Sequence, residues 1–514
     1  MVRVILMLLI LLTGSVCHAF AGEDTNSQNK AIETPDDSRN LTFQYKSIGD
    51  QYTTQDNYKV AAPYYIKALS MGREYLSLEE RLQIAIYLSW AGEMHESLNE
   101  LDLILEVSPS NLKARIHRAR VLSWSGRLDK SINEADNILK DYPDNRDAML
   151  VKANALRWKG LSWKALPIYH QILEKGEDFD THLGITYAQL SAGDIRGAKQ
   201  NRNLLTPSYP YQEKEKKELN DYMDRIVRPT ISVGYNYYHD SDENITNRYL
   251  AGLGFWTGNW KNELTYRHTD AKNDAIDNRA DDFSFRTYAK LTGIFGIGGG
   301  LGLTQMANDK SDDHITWNLK ADVNFINGTA GVSVARDVFT DTAELIENRI
   351  RHTTTSIFLS QKLTDRWVVN GTYRYRDYSD DNYSHQIQLS AMYAVYSRNP
   401  NIHLGGRLIY LDFARQTRSG YFDPDDFISP QVFATISLER EKFYGYLEPF
   451  LGYQTFHRYG DRSNDITGGG YGLLGIRLSK HFSLEINAEG GNNDNDTAAG
   501  WNYYLIGSRL LIFL

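Results

Sequence analysis

Three Trp-x-Gly triplets, Trp90-Ala91-Gly92, Trp124-Ser125-Gly126 and Trp158-Lys159-Gly160, stand 34 residues apart. A strict period of that length requires a repeated two-helix unit that buries its apolar face only by stacking on its neighbours. Taking each glycine as the turn between the helices aligns the rest. The first helix then carries Gly49, Ala85, Ala119 and Ala153, and the second Ala61, Ser97, Ser131 and Ala165. Small side chains at those places let the helices cross closely. The large packing position of the second helix holds Tyr65, Leu101 and Tyr169, with Ala135 a smaller filler. Pro109 and Pro143 close units where a helix must stop.

The period is that of tetratricopeptide repeats. Four good units and a fifth, weaker one from about Phe179 to Pro210, using Gly193 and Ala198, predict an α-solenoid over residues 41–225. It ends in a strongly charged helix from about Gln212 to Arg225. Trp90, Trp124 and Trp158 are expected either to pack between successive repeats or to form an aromatic ladder facing a binding partner. In both cases such arrays bind proteins or peptide segments.

From Arg228 the pattern changes to alternation of apolar and polar residues. Ile315, Trp317, Leu319, Ala321, Val323 and Phe325 oppose Thr316, Asn318, Lys320, Asp322 and Asn324. Phe482, Leu484, Ile486 and Ala488 oppose Ser483, Glu485, Asn487 and Glu489. One face suits lipid and the other water. Sixteen such segments follow Pro229. Tight turns such as Thr292-Gly293 and Asn327-Gly328 alternate with Asp-, Asn- and Gly-rich loops at 240–246, 270–281, 307–313, 339–347, 378–383, 416–427, 458–466 and 490–500. The fold class is an α-solenoid followed, over 226–514, by a 16-stranded antiparallel transmembrane β-barrel. An even strand number puts both barrel ends on the side of the short turns, the periplasm.

Residues 1–21 read as a signal peptide, with Arg3, an apolar run from Val4 to Leu12, and Ala19-Phe20-Ala21 for cleavage. Residues 22–40 read as a flexible leader. The single cysteine, Cys17, falls in the signal segment, which excludes disulfides, zinc–thiolate sites and cysteine nucleophiles from the mature chain. No cofactor, structural metal or nucleic-acid partner is expected. The expected location is a bacterial outer membrane with the repeats in the periplasm.

A 16-stranded barrel is wide enough for an aqueous bore. The residues expected to line it and form a solute path are Lys261, Arg267, Arg286, Lys290, Lys320, Arg374, Arg376, Arg407, Arg477 and Arg509, against the acids Glu263, Asp322, Glu485 and Glu489. From Pro229 onward the chain has 27 Lys and Arg against 34 Asp and Glu. The acids are therefore expected mainly in loops, and the bore to be basic, favouring an anionic or neutral polar solute. Charge pairing that stiffens the wall is the competing reading.

Other motifs carry no chemistry. The run from Gly296 to Gly302 lacks the following helix of a dinucleotide loop and reads as strand glycines. Glu485 and Glu489 lie about 13 Å apart along a strand, too far for a glycosidase pair. The Asp-rich segments around Asp423, Asp425 and Asp426, and around Asp494 and Asp496, read as solvated loops. No nucleophile–base constellation is present, so the chain is not expected to be an enzyme.

Signal peptide, periplasmic repeats and C-terminal barrel together resemble the outer-membrane exopolysaccharide exporters. That group includes the poly-N-acetylglucosamine export porin, the Pel exporter and the C subunit of cellulose synthase. The segments Leu88-Ser89-Trp90-Ala91-Gly92 and Leu122-Ser123-Trp124-Ser125-Gly126 are similar to its repeats, and Gly420-Tyr421-Phe422-Asp423-Pro424 to a stretch of its barrels. The repeats here are fewer than in the cellulose and Pel exporters. The resemblance implies a passive channel exporting a polysaccharide, with the repeats docking periplasmic or inner-membrane synthesis proteins. A general porin or surface receptor with a periplasmic scaffold is the alternative.

Overall fold

The computed structural model describes residues 35–307, 312–397, 399–492 and 502–514. The signal-peptide reading, Cys17, most of the leader, the Asp494 and Asp496 loop and much of the 307–313 loop lie outside the described residues. The chain divides into two compact units. One is helical, reaching Ser191 and taking in Gly197–Lys216. The other comprises Ala192–Arg196 and Lys217–Leu514 and contains the barrel.

The helices pair as the 34-residue period requires. They are α1 (Pro35–Thr53), α2 (Tyr58–Gly72), α3 (Leu78–Ala91), α4 (Met94–Val107), α5 (Leu112–Trp124), α6 (Leu128–Asp141), α7 (Arg146–Trp158), α8 (Ser162–Leu173), α9 (Phe179–Ser191), α10 (Ile195–Arg202) and α11 (Pro210–Val227). Helix α1 starts at Pro35, so residues 35–40 of the segment read as a flexible leader are helical.

Each pair is built from the same few interactions. The turn glycines Gly92, Gly126, Gly160 and Gly193 all adopt positive φ, between 77° and 94°, where a β-carbon is disfavoured. Ala85, Ala119, Ala153, Ala61, Ser97, Ser131 and Ala165 are fully buried. The two serines donate across the helix pair, Ser97 to the Ala85 carbonyl and Ser131 to the Ala119 carbonyl, both at 2.7 Å. The large position repeats as closely. The hydroxyl of buried Tyr65 donates to Asp50 at 2.8 Å, and that of buried Tyr169 to Asn154 at 2.7 Å. The Tyr65 ring occupies the space a methyl on Gly49 would need. N-caps recur too: Ser77, Asn111, Asn145 and Asp178 each accept from the backbone N–H three residues on. The last step in both series is 33 residues rather than 34, which is why the fifth unit matches the pattern weakly.

His117 on α5 is buried, with Nε2 3.1 Å from the Ser89 hydroxyl on α3. Burial, with the Arg120 charge adding to it, lowers its pKa to about 3. The unfolded chain, with an ordinary histidine near 6.5, binds a proton between those values that the folded one does not. The helical unit is therefore expected to lose up to a few kcal/mol as pH falls from about 6.5 towards 3. His117→Gln should flatten that dependence in thermal melts of the full chain followed by far-UV circular dichroism.

The second unit holds sixteen antiparallel strands: β1 (Thr230–Asp240), β2 (Ile245–Thr257), β3 (Trp260–Lys272), β4 (Asp277–Leu291), β5 (Phe295–Ala307), β6 (Asp312–Phe325), β7 (Gly328–Val338), β8 (Arg351–Lys362), β9 (Trp367–Tyr378), β10 (Tyr383–Ser397), β11 (Asn401–Phe413), β12 (Asp425–Glu439), β13 (Phe443–Arg458), β14 (Asp461–Arg477), β15 (Phe482–Gly491) and β16 (Tyr503–Phe513). Each pairs with its sequence neighbours, and β1 pairs with β16 to close the barrel. The outward positions are apolar and exposed, Ile315 and Ile466 each to 70%. Trp260, Phe295, Trp367, Phe443 and Phe482, each the first residue of its strand at the tight-turn end, form an exposed aromatic belt. Such a belt marks a membrane–water interface. Among the described residues no helix is long and apolar enough to cross a membrane.

The loops differ from expectation. The connections expected at 240–246, 270–281 and 458–466 shrink to 241–244, 273–276 and Tyr459-Gly460. With 10 to 17 residues, most strands exceed the 9–11 needed to cross a bilayer. Their polar ends stay paired beyond the apolar band. The connections 339–350 and 414–424 remain long, and both contain structure unlike a solvated loop.

Candidate functional site: the bore and the loops that cross it

Between β7 and β8 the chain forms a short helix, α12 (Ala343–Asn348). Its Ala343 and Ile346 pack with Ala271, Ala280, Met306 and Val338 of β3, β4, β5 and β7. On the other side Leu345, with Phe339 and Ile350, packs into a second cluster with Tyr378, Phe413, Phe427 and Phe456 of β9, β11, β12 and β13. The centre of that cluster is Tyr421 and Phe422, from the loop between β11 and β12, and both are fully buried. Tyr421 stacks on Tyr378 with ring centroids 4.8 Å apart. Packed side chains thus run from β3–β5 to β12–β13, walls on opposite sides of a sixteen-membered ring. The two loops together cross the bore.

Polar contacts fix the crossing at each end. Asp341 accepts from Arg248 of β2 at 2.7 Å, and Thr340 from Arg267 of β3 at 3.2 Å. Asn278 of β4 donates to the Ala343 carbonyl at 3.0 Å. At the far wall Arg458 of β13 donates to Asp423 at 3.0 Å and to the Tyr421 carbonyl at 3.1 Å. The loops also join each other, Asn348 donating to the Ser419 carbonyl at 3.0 Å. The Gly-Tyr-Phe-Asp-Pro stretch is therefore the keystone of a crossing, and the reading of Asp423 as solvated is corrected: it is fully buried and ion-paired. Gly420, at φ 91°, lies against Glu344 of α12, so a side chain there would meet both strain and a neighbour.

The ten predicted path residues occupy strand positions opposite the lipid-facing ones, but they do not form a freely basic lining. Arg267 pairs with Asp282 at 2.7 Å, Lys320 with Asp322 at 3.6 Å, Arg407 with Glu448 at 3.1 Å and Arg509 with Glu485 at 2.6 Å. Arg477 pairs with Glu439 and donates to the Glu441 carbonyl of the turn between β12 and β13, which places it at the rim. Arg374 donates to Gln386 at 2.7 Å. Arg376 is 7% exposed, with its guanidinium 5.5 Å from the Phe339 ring, so it supports the crossing rather than the path. Arg286 lies opposite Glu263 in register, Lys261 opposite Tyr288, and Lys290 opposite Gly296. The path is less basic than the expected ten against four, becoming ten against seven. Carboxylates on adjacent strands, three of them outside the predicted set (Asp282, Glu439 and Glu448), neutralise half of the bases.

Trp90, Trp124 and Trp158 are 50%, 39% and 43% exposed. Trp90 leans on Tyr58 and Tyr87, Trp124 meets His117 edge-on, and Arg157 covers Trp158. They leave a periodic aromatic surface rather than filling the core. Among the described residues no group of acidic, histidine or cysteine side chains could hold a metal ion.

No protein-family model and no characterised protein matches the sequence. Among solved structures, the chain is similar to a bacterial polysaccharide outer membrane secretin over 56% of this chain and 99% of that one, at 12% identity and a TM-score of 0.45. It is similar to CdiB from Acinetobacter baumannii over 55% of this chain and 60% of that one, at 11% identity and a TM-score of 0.38. A tetratricopeptide repeat protein from Parabacteroides merdae covers 36% of this chain with 76% of its own, at 14% identity and a TM-score of 0.29. Likeness at this level concerns fold alone.

Proposed function

We propose that this chain is an outer-membrane channel that exports a polysaccharide, with its repeats in the periplasm docking the proteins that make or modify the polymer. The reading includes no catalytic step. One observation carries it: a closed, membrane-suited barrel whose inward strand faces bear half-buried rings such as Tyr288, Phe358 and Tyr444 beside ion pairs, and whose bore is crossed by its own loops. Such a lining offers ring faces and hydrogen bonds together, which a sugar chain can use and a small ion does not need. A crossing made of loops can withdraw without a separate domain leaving. The solenoid supports the same reading, since its exposed aromatic surface suits a partner better than a core.

The test is release of polymer from cells. Deleting the gene should abolish surface or secreted polysaccharide while the polymer accumulates in the periplasm. Unchanged secretion together with lost uptake of small solutes would instead establish a general porin.

A further inference from the structure

At the tight-turn end of the barrel the inner wall repeats one arrangement on two sides. Tyr288 of β4 lies flat across β5, where Gly296 leaves room, and its hydroxyl reaches Asp322 of β6 at 3.1 Å. The ammonium of Lys320, 3.6 Å from Asp322, sits 5.4 Å from the centroid of Tyr288 and 5.8 Å from that of Phe358. Phe358 of β8 in turn lies across β7 at Gly331. Near the opposite wall, Tyr444 of β13 lies across β14 at Gly475 and donates to Glu485 of β15 at 2.6 Å. Glu485 also accepts two bonds from Arg509 of β16, at 2.8 and 2.6 Å, and Arg477 lies over the Tyr444 ring.

The two glycine-bearing strands, β5 and β14, are nine apart in a ring of sixteen, so the walls face each other across the bore. All the residues named fall within about five positions of the tight-turn ends of their strands. A β-carbon at Gly296 or Gly475 would overlap the tyrosine above it. Packing alone explains why the rings lie flat. It does not explain why each hydroxyl meets a carboxylate that already has its own cation, half-exposed to the bore in the case of Lys320.

We propose that these two walls are a saccharide-binding vestibule selective for an uncharged pyranose chain. This rests on the export reading above. The C–H face of a pyranose matches aromatic rings, and its hydroxyls match carboxylates and ammonium or guanidinium groups. The three cations of these contacts, Lys320, Arg509 and Arg477, are already matched by Asp322, Glu485 and Glu439, so a charged sugar must break a pair to gain a counter-charge from any of them.

The test uses the full chain in detergent and two hexasaccharides of the same backbone, neutral N-acetylated chitohexaose and its deacetylated, cationic form, with a hexauronate as the anionic counterpart. Binding is read by titration calorimetry. The neutral oligomer should bind at least tenfold more tightly than either charged one. The double variant Y288F/Y444F keeps both rings and removes both hydroxyls, and should weaken neutral binding about tenfold. Heat-modifiable migration on gels certifies its fold. Because the phenylalanine rings still fill the space over Gly296 and Gly475, a purely structural role for the tyrosines predicts no change in affinity. Preference for a charged oligomer, or unaltered binding by the variant, overturns the proposal. If polymer secretion still depends on the chain, the export reading survives that failure. Absence of both binding and secretion removes the two together.

Discussion

Excision of residues 343–348, with Thr342 and Arg349 joined through two glycines, is expected to open the bore and raise single-channel conductance several-fold in planar bilayers. The six residues contribute Ala343, Leu345 and Ile346, all fully buried between opposite walls. Burial of each of the two larger side chains stabilises the crossing by about 1.5–3 kcal/mol. The wall does not depend on them: the β7–β8 ladder continues from Gly328–Gln361 to Val338–Arg351 without the loop. Asp341→Ala should have a smaller effect in the same direction, since it removes only the Arg248 pairing. A barrel that inserts with α12 excised and conducts no better than the intact chain would show that the crossing does not limit the passage.

Removal of the helical unit should produce the second large effect. Without residues 35–216, barrel levels in the membrane should stay roughly intact while polymer secretion falls to background. The strand ladders run from Thr230 to Phe513 and need no residue of the solenoid to close. Substituting Trp90, Trp124 and Trp158 together by alanine should reproduce much of the loss, since those rings are exposed and their removal leaves little cavity. Immunoblots of membrane fractions beside quantified extracellular polysaccharide make the comparison. Normal secretion by the shortened chain would eliminate the docking role.

Much of this architecture was legible because two backbone periods are written into side-chain chemistry. Trp-x-Gly at 34 residues marks a left-handed turn that only glycine adopts cheaply, and strict alternation marks strands with one wet and one oily face. The caps Ser77, Asn111, Asn145 and Asp178 were equally periodic and would have fixed the helix starts, Asp178 also revealing the 33-residue step. The charge pairing was not legible in the same way. Arg267 stands opposite Asp282, and Arg509 opposite Glu485, only once the register between strands is known. Alternation assigns a face but not a partner. The crossing loops were hidden for a different reason. Phe339, Leu345, Ile346 and Ile350 lie among Asp, Glu, Thr and Asn in a segment with no single period. The usable signals were the number of large apolar residues in a supposedly solvated loop, and a Tyr-Phe pair in another.

The seam between β1 and β16 governs the order of events in assembly. Its eleven paired positions, from Thr230 opposite Phe513 to Asp240 opposite Tyr503, join residues 263 to 283 apart in the chain, the least local pairing in the barrel. Until the final strand is in place, β1 and β15 each present a row of unsatisfied backbone donors and acceptors, which hydrocarbon does not tolerate. Such distant partners also meet slowly. The sheet must therefore wait, shielded from lipid and from other edges, for its last dozen residues, whereas the solenoid can complete each helix pair as soon as it emerges. One chain thus carries two clocks: a domain that matures from its first residue onward, and a ring that exists only when its last strand arrives.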